Sequence, residues 1–181
     1  MNSERNRRVL VIDDNQSIHD DFRKILSPDD LTRTALNVTE MALFGDSANE
    51  EQQAQFEIDS ASQGPEGVSR VEEARAEGRP YAMAFVDMRM PPGWDGIKTA
   101  QEILAVDPEI QIVICTAYSA YSWNEITEQI GTNNRTTFLK KPFDTVEALR
   151  RANELTEKWH LVHFDLKKTQ SLTLKYGKTK E

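Results

Sequence analysis

The 181-residue chain has a single cysteine, Cys115, so it can form neither an internal disulfide nor a cysteine-rich metal site. That usage fits a reducing, cytoplasmic compartment. No apolar run approaches the roughly 18–20 residues that span a bilayer, so no membrane association is expected. The opening Met1-Asn2-Ser3-Glu4-Arg5 has no apolar core of a secretory leader. Basic residues are the minority, 22 against 30 acidic, for a formal net charge of -8. A surface of that sign does not collect against phosphate backbones, so no direct DNA binding is expected. Eight glycines and seven prolines are too few for a collagen-like or low-complexity chain. The length suits one domain plus extras.

Short apolar runs are what the sequence does have. Val9-Leu10-Val11-Ile12, Ala82 to Val86 and Ile110 to Cys115 are nearly unbroken, as in strands buried on both faces of a parallel sheet. Phe56-Glu57-Ile58-Asp59 alternates and reads as an edge strand, and Thr137-Phe138-Leu139 is a short fifth candidate. Helical periodicity fills the gaps. The stripes are Ile18, Phe22, Ile25 and Leu26; Val68, Val71 and Ala74; Ile97, Ala100 and Leu104; then Trp123, Ile126 and Ile130, with Gly131 as a C-terminal cap. Pro28 and Pro108 stop two of the helices. A last helix starts near Asp144. Strand and helix therefore alternate five times, which predicts an α/β doubly wound five-stranded parallel sheet of order 2-1-3-4-5.

Two segments exceed that plan. Residues 28–55 form an insert between the first helix and the second strand, with Val38 to Phe44 as a candidate short helix. At the other end, Ala148, Ala152, Leu155, Trp159, Val162 and Leu166 alternate spacings of four and three. This heptad seam is expected to outrun the sheet from Leu155 onward and to pair with a second copy. A basic stretch follows from Lys167 to Lys180. The expected division is residues 7–155 as the folded unit and 156–181 as a helical extension with a basic tail.

Ligands of open α/β sheets bind outside the carboxyl ends of the strands. There the sequence places Asp13-Asp14, Asp87, Thr116 and, after the fifth strand, Lys140-Lys141-Pro142. The strand order brings the first, third and fourth strands side by side. Three carboxylates converge with one hydroxyl and one lysine, and a single ammonium does not balance them. An all-oxygen donor set suits a hard divalent ion such as magnesium. Such an ion beside a free carboxylate, a lysine and a hydroxyl is equipped for phosphoryl transfer. No Walker or dinucleotide glycine loop is present to hold a nucleotide. The expected nucleophile is a carboxylate of the protein itself, giving an aspartyl phosphate.

The runs Val9 to Asn15, Phe85 to Pro91, Cys115-Thr116-Ala117 and Phe138 to Phe143 together resemble the receiver domain of two-component response regulators, with its flavodoxin-like fold. The resemblance covers about residues 7 to 155 without the insert. It implies phosphorelay signal transduction in which Asp87 accepts a phosphoryl group from a sensor histidine kinase. It implies magnesium held by Asp13, Asp14, Asp87 and the backbone carbonyl of Arg89. Lys141 would contact the phosphoryl oxygens, Thr116 would donate its hydroxyl, and Phe138 would turn inward as an aromatic switch. The Lys141–Pro142 peptide would be cis. The fourth helix, fifth strand and fifth helix would form the surface read by a downstream protein or fused output domain. No turnover is implied beyond self-phosphorylation and autodephosphorylation.

The sequence departs from that pattern in places. The Pro91 to Gly96 loop is one residue longer than usual, and Phe138 lacks the hydroxyl of the more frequent tyrosine. Arg89 and Tyr118 stand two residues beyond Asp87 and Thr116, where bulk restricts water. His19 reads as a solvated helix position, His160 and His163 have no metal partner in view, and Cys115 reads as a buried small apolar residue. Trp94 and Trp123 read as packing or partner contacts. Two alternatives stand beside the receiver. One is a magnesium-dependent phosphatase with an aspartyl intermediate, which would want Asp-x-Asp where Asp13-Asp14 are adjacent. The other is a scaffold without phosphate, against which Asp87, Thr116 and Lys141 argue.

Overall fold

The computed structural model describes residues 5–28, 55–117 and 134–176, with side chains of the last helix as far as His163. The insert helix at Val38–Phe44, the helix carrying Trp123, Ile126 and Ile130, its Gly131 cap and Tyr118 lie outside the described residues.

The elements are β1 (Arg8–Ile12), α1 (Gln16–Leu26), β2 (Glu57–Ala61), α2 (Gly64–Ala76), β3 (Met83–Asp87), α3 (Gly96–Val106), β4 (Gln111–Thr116), β5 (Thr136–Lys140) and α4 (Thr145–Tyr176). All strand pairs are parallel and the order is β2-β1-β3-β4-β5, as the apolar runs predict. Successive side chains leave opposite faces of a strand. Leu10, Ile12, Ala84, Val86, Ile112 and Ile114 meet Val71 and Ala74 of α2 and Ile97, Ala100 and Ile103 of α3. Val9, Val11, Met83, Phe85, Val113, Cys115 and Leu139 meet Phe22 and Leu26 of α1 and Ala148, Ala152 and Leu155 of α4. Both faces of the central strands are thus buried, which is why their sequences are continuously apolar. In α3 Thr99, Ala100 and Ile103 are fully buried, with Leu104 only partly covered.

Local signals set the helix starts. The Asn15 side chain accepts from the Ser17 amide, and the Asp95 side chain from the Lys98 amide at 2.8 Å, each satisfying a donor that the first turn leaves open.

The edge strand pairs with β1 and buries Ala61, and its outer residues carry a charged cluster. The Arg8 guanidinium reaches Glu57 at 3.1 Å and Asp59 at 2.8 Å, and lies 4.4 Å over the Tyr81 ring. The Tyr81 hydroxyl donates to Asp59 at 2.7 Å. Burial, then the bond to Asp59 and its charge, push the Tyr81 phenol well above its ordinary value of 10.0. The neutral phenol is therefore favoured in the fold. Its contribution is intact below about pH 10, where the unfolded chain also keeps the proton, and is lost as pH rises above that. Melting temperatures taken from pH 8 to 11 should fall on the alkaline side. Tyr81→Phe, which has no proton to lose, should show a shallower fall; an equally steep one would remove Tyr81 from the account.

The C-terminal seam corrects one expectation. Leu155 and Trp159 do not project beyond the sheet: they are 3 % and 5 % exposed within their own fold. The Trp159 indole stacks on His163 with centroids 4.5 Å apart. His163 Nδ1 lies 2.7 Å from the Glu109 carboxylate at the entry to β4, and the Lys158 ammonium meets the Asn134 carbonyl. The sheet's amino end is thus roofed by α4, so the pattern that read as a pairing seam covers the domain's own base. Among the described side chains of α4, the exposed large apolar ones lie off that stripe, at Val146 and Leu161.

Candidate functional site

The ladder of the sheet continues past the strand ends and sets the site. Asp13 N donates to the Ala61 carbonyl at 3.1 Å, Met88 N to the Cys115 carbonyl at 2.9 Å and Lys141 N to the Thr116 carbonyl at 2.7 Å. These bonds fix the first residues beyond β1, β3 and β5 relative to their neighbours. One carboxylate oxygen from each of Asp13, Asp14 and Asp87 falls within 4.8 Å of the others. Asp13 is buried, Asp87 is half-buried and Asp14 is exposed at the rim.

Lys141 enters from the loop after β5, where the Lys141–Pro142 peptide is cis, as is Pro91–Pro92. Its ammonium lies 2.9 Å from Asp13 Oδ2 and 2.7 Å from Asp87 Oδ1. Burial alone would pull the pKa of this lysine down. The bonds to Asp87 and Asp13 outweigh it and hold the group above its ordinary range, so it is charged. Asp87 Oδ2 accepts from the Arg89 amide at 3.0 Å, and Asp13 Oδ1 from the Asn15 amide at 2.9 Å. Thr116 ends β4, one residue past the Asp87–Cys115 register pair, and is half-buried. Phe138 is half-buried against the α2–α3 side of the core. The Cys115 thiol beneath the site is fully buried, and burial pushes its pKa up, so it packs as an apolar residue.

Three carboxylates facing one ammonium leave an uncompensated charge of about -2 on an all-oxygen donor set, which is what a hard divalent cation fits. The backbone leaves the entrance tight. A Cβ on Gly96, which opens α3, would come within 2.6 Å of the Asp87 carbonyl oxygen and 2.9 Å of Met88 Cα. Only glycine lets that helix start approach so closely. Trp94, in the same loop, is half-buried with the Lys98 ammonium 5.5 Å from its ring.

Asp13, Asp14, Asp87, Thr116 and Lys141 lie at the carboxyl end of the sheet, whereas Phe138 sits within β5, paired with Ile114. One neighbour was misjudged. His19 is 1 % exposed, and its Nε2 lies 2.7 Å from the Asp13 carbonyl oxygen. The signal was present: His19, Phe22 and Leu26, spaced by three and four, are the buried stripe of α1.

The response regulator receiver domain family matches residues 46–153. That span takes in Asp87, Thr116 and Lys141 and begins after β1, so Asp13 and Asp14 are joined to the site by the sheet rather than by the match. No curated protein matches the chain significantly. Among solved structures, the chain is similar to a CheY-like receiver domain from Methanospirillum hungatei, at 17 % identity over 85 % of this chain and 96 % of that one, with a TM-score of 0.58. It is similar to the signal receiver domain of an HD domain-containing protein from Pseudomonas fluorescens, at 14 % identity over 90 % and 96 %, with a TM-score of 0.62. An adenylate cyclase structure from Rhodopirellula baltica aligns at 21 % identity over 91 % and 98 %, with a TM-score of 0.58. At these identities the likenesses speak for the fold. The family match extends over more than half of the 181 residues, and the chain belongs to the response regulator receiver domain family.

Proposed function

We propose that the chain is a phosphorylation-dependent signalling switch whose acceptor is Asp87. A carboxylate oxygen of Asp87 attacks the phosphorus of a phosphohistidine on a sensor kinase. The new P–O bond forms as the P–N bond breaks, and the released imidazole nitrogen takes a proton from water. Asp13, Asp14, Asp87 and the backbone carbonyl of Arg89 would hold magnesium. When bound, that ion would offset charge on the phosphoryl oxygens. Lys141 swings its ammonium from the two carboxylates onto a phosphoryl oxygen, Thr116 donates its hydroxyl to another, and Phe138 follows Thr116 inward.

The observation that carries this reading is the Lys141 ammonium bridging Asp13 and Asp87 at 2.9 and 2.7 Å beside a third carboxylate. The exposed Asp14 at the rim adds a third oxygen donor to the pair, which is a donor set a divalent ion could use. The folded unit would run from residue 7 with 28–55 as an insert and, because Thr156 and Trp159 are buried in it, would take in α4 as far as His163, leaving the rest as an extension, in the cytoplasm. The modified surface would be read by a downstream protein or a fused output domain. Pairing with a second copy would use α4 beyond Trp159, where Leu161 is exposed.

Incubation with acetyl phosphate and magnesium, followed by intact mass measurement, tests the assignment. The parent should gain one phosphoryl group and Asp87→Asn none. Equal labelling of the two would move the acceptor elsewhere.

A further inference from the structure

We infer that His19 is a positioning residue that fixes the backbone of Asp13, and through it the acidic mouth, by a hydrogen bond from α1; this rests on the proposed metal-dependent reading of the site.

The argument begins with a backbone atom that has no place in regular structure. Asp13 lies between the end of β1 and the Asn15 cap of α1, so its carbonyl joins neither the strand ladder nor the helix. Asp13 is 4 % exposed, so bulk water has little access to its backbone and a protein partner is called for. The partner is His19 Nε2 at 2.7 Å. A carbonyl oxygen only accepts, so the hydrogen is on Nε2. With that bond, each polar atom of Asp13 is tied to a different segment. Its amide goes to Ala61 of β2, Oδ1 to the Asn15 amide, Oδ2 to Lys141 and the carbonyl to α1. The carboxylate therefore has one orientation before any ligand arrives.

The other ring nitrogen shows that packing alone does not explain the histidine. His19 Nδ1 is buried and has no hydrogen-bond partner. A residue chosen only to fill the stripe between Asp13 and Phe22 would be apolar, as Phe22 and Leu26 are. A buried, half-satisfied imidazole is poor for stability. It is explained if its one bond serves the geometry of the turn. Outer partners of metal-binding side chains act in this way, orienting the ligand without touching the ion.

The test uses the full chain with three variants. His19→Phe fills the space without a donor. His19→Gln places an amide nitrogen close to where Nε2 lies. Asp14→Asn is the control on the metal reading. Magnesium affinity is measured by titration calorimetry, and metal-free melting temperature alongside it. His19→Phe should bind magnesium about tenfold more weakly, in the range found when outer partners are lost. Its melting temperature should not fall in parallel, because the orphaned Nδ1 is removed as well. His19→Gln should recover most of the affinity. Hydrogen exchange at the Asn15 amide, which needs no metal, should quicken in His19→Phe and slow again in His19→Gln. Parental affinity in His19→Phe, or weakening matched by an equal loss in His19→Gln, overturns the role of His19 alone. A parent that binds no magnesium, or binds it no better than Asp14→Asn, overturns the metal reading and this inference with it.

Discussion

Replacing Lys141 by methionine should lower the rate of phosphoryl acceptance from acetyl phosphate by at least about a hundredfold, the usual effect of removing one preorganised donor from developing charge. The same change should tighten magnesium binding. The ammonium now contacts Asp13 and Asp87, the two carboxylates deepest in the cluster. Without it the cluster carries a charge of about -3 instead of -2, and a divalent ion meets no competing cation. Opposite movement of the two readouts is the signature of a lysine that both neutralises the resting site and engages the transferred group. A variant that binds magnesium more weakly and still accepts phosphate at the parental rate would show the lysine to be only a structural tie. Stopped labelling reactions and calorimetry on the same preparation decide between them. Asp13 is left without its ammonium partner in this variant, so its metal-free stability should fall as well.

The second large effect concerns stability. Trp159→Ala should cost about 3 kcal/mol, hence roughly 6–12 °C in melting temperature for a chain of this size. The ring is 5 % exposed and supports the stacked His163, whose other neighbour is Glu109. The figure stays at the lower end for a buried aromatic because the indole Nε1 has no hydrogen-bond partner, and its removal relieves a desolvated donor. If Trp159 were instead a seam residue between two copies, the loss would appear as dissociation, with the monomer melting unchanged. Sedimentation and thermal melts of Trp159→Ala and Leu161→Asp separate the two. The first should destabilise the fold, and the second should act only on association.

Much of this was legible from residue order. A parallel sheet buried on both faces leaves unbroken apolar runs, and Val9–Ile12, Ala82–Val86 and Ile112–Cys115 are of that kind. Once the order 2-1-3-4-5 follows, the carboxyl ends of β1, β3 and β4 must be adjacent, so Asp13, Asp87 and Thr116 converge without any need of distances. What escaped the sequence depended on shape. A stripe of apolar residues on α4 looks the same whether it meets another helix or the floor of its own sheet. Only the position of Asn134 and Glu109, remote in sequence, tells which. His19 escaped because a polar residue near a helix start reads as solvated, although its spacing to Phe22 and Leu26 placed it on the buried stripe. The carbonyl it serves belongs to the turn, and turns leave no periodic trace.

The last helix has a mechanical consequence. It begins three residues after Pro142, beside the acidic mouth, and is seated at the far pole through Trp159 and His163 before its backbone runs on to Tyr176. Its 32 residues make a rod about 48 Å long. A rod packed on the sheet through Ala148, Ala152, Leu155 and Trp159 moves as a unit: a tilt of about 5° displaces one end relative to the other by roughly 4 Å. In the proposed switch, a rearrangement around Lys141 that tilted the helix would be carried to its opposite end as displacement.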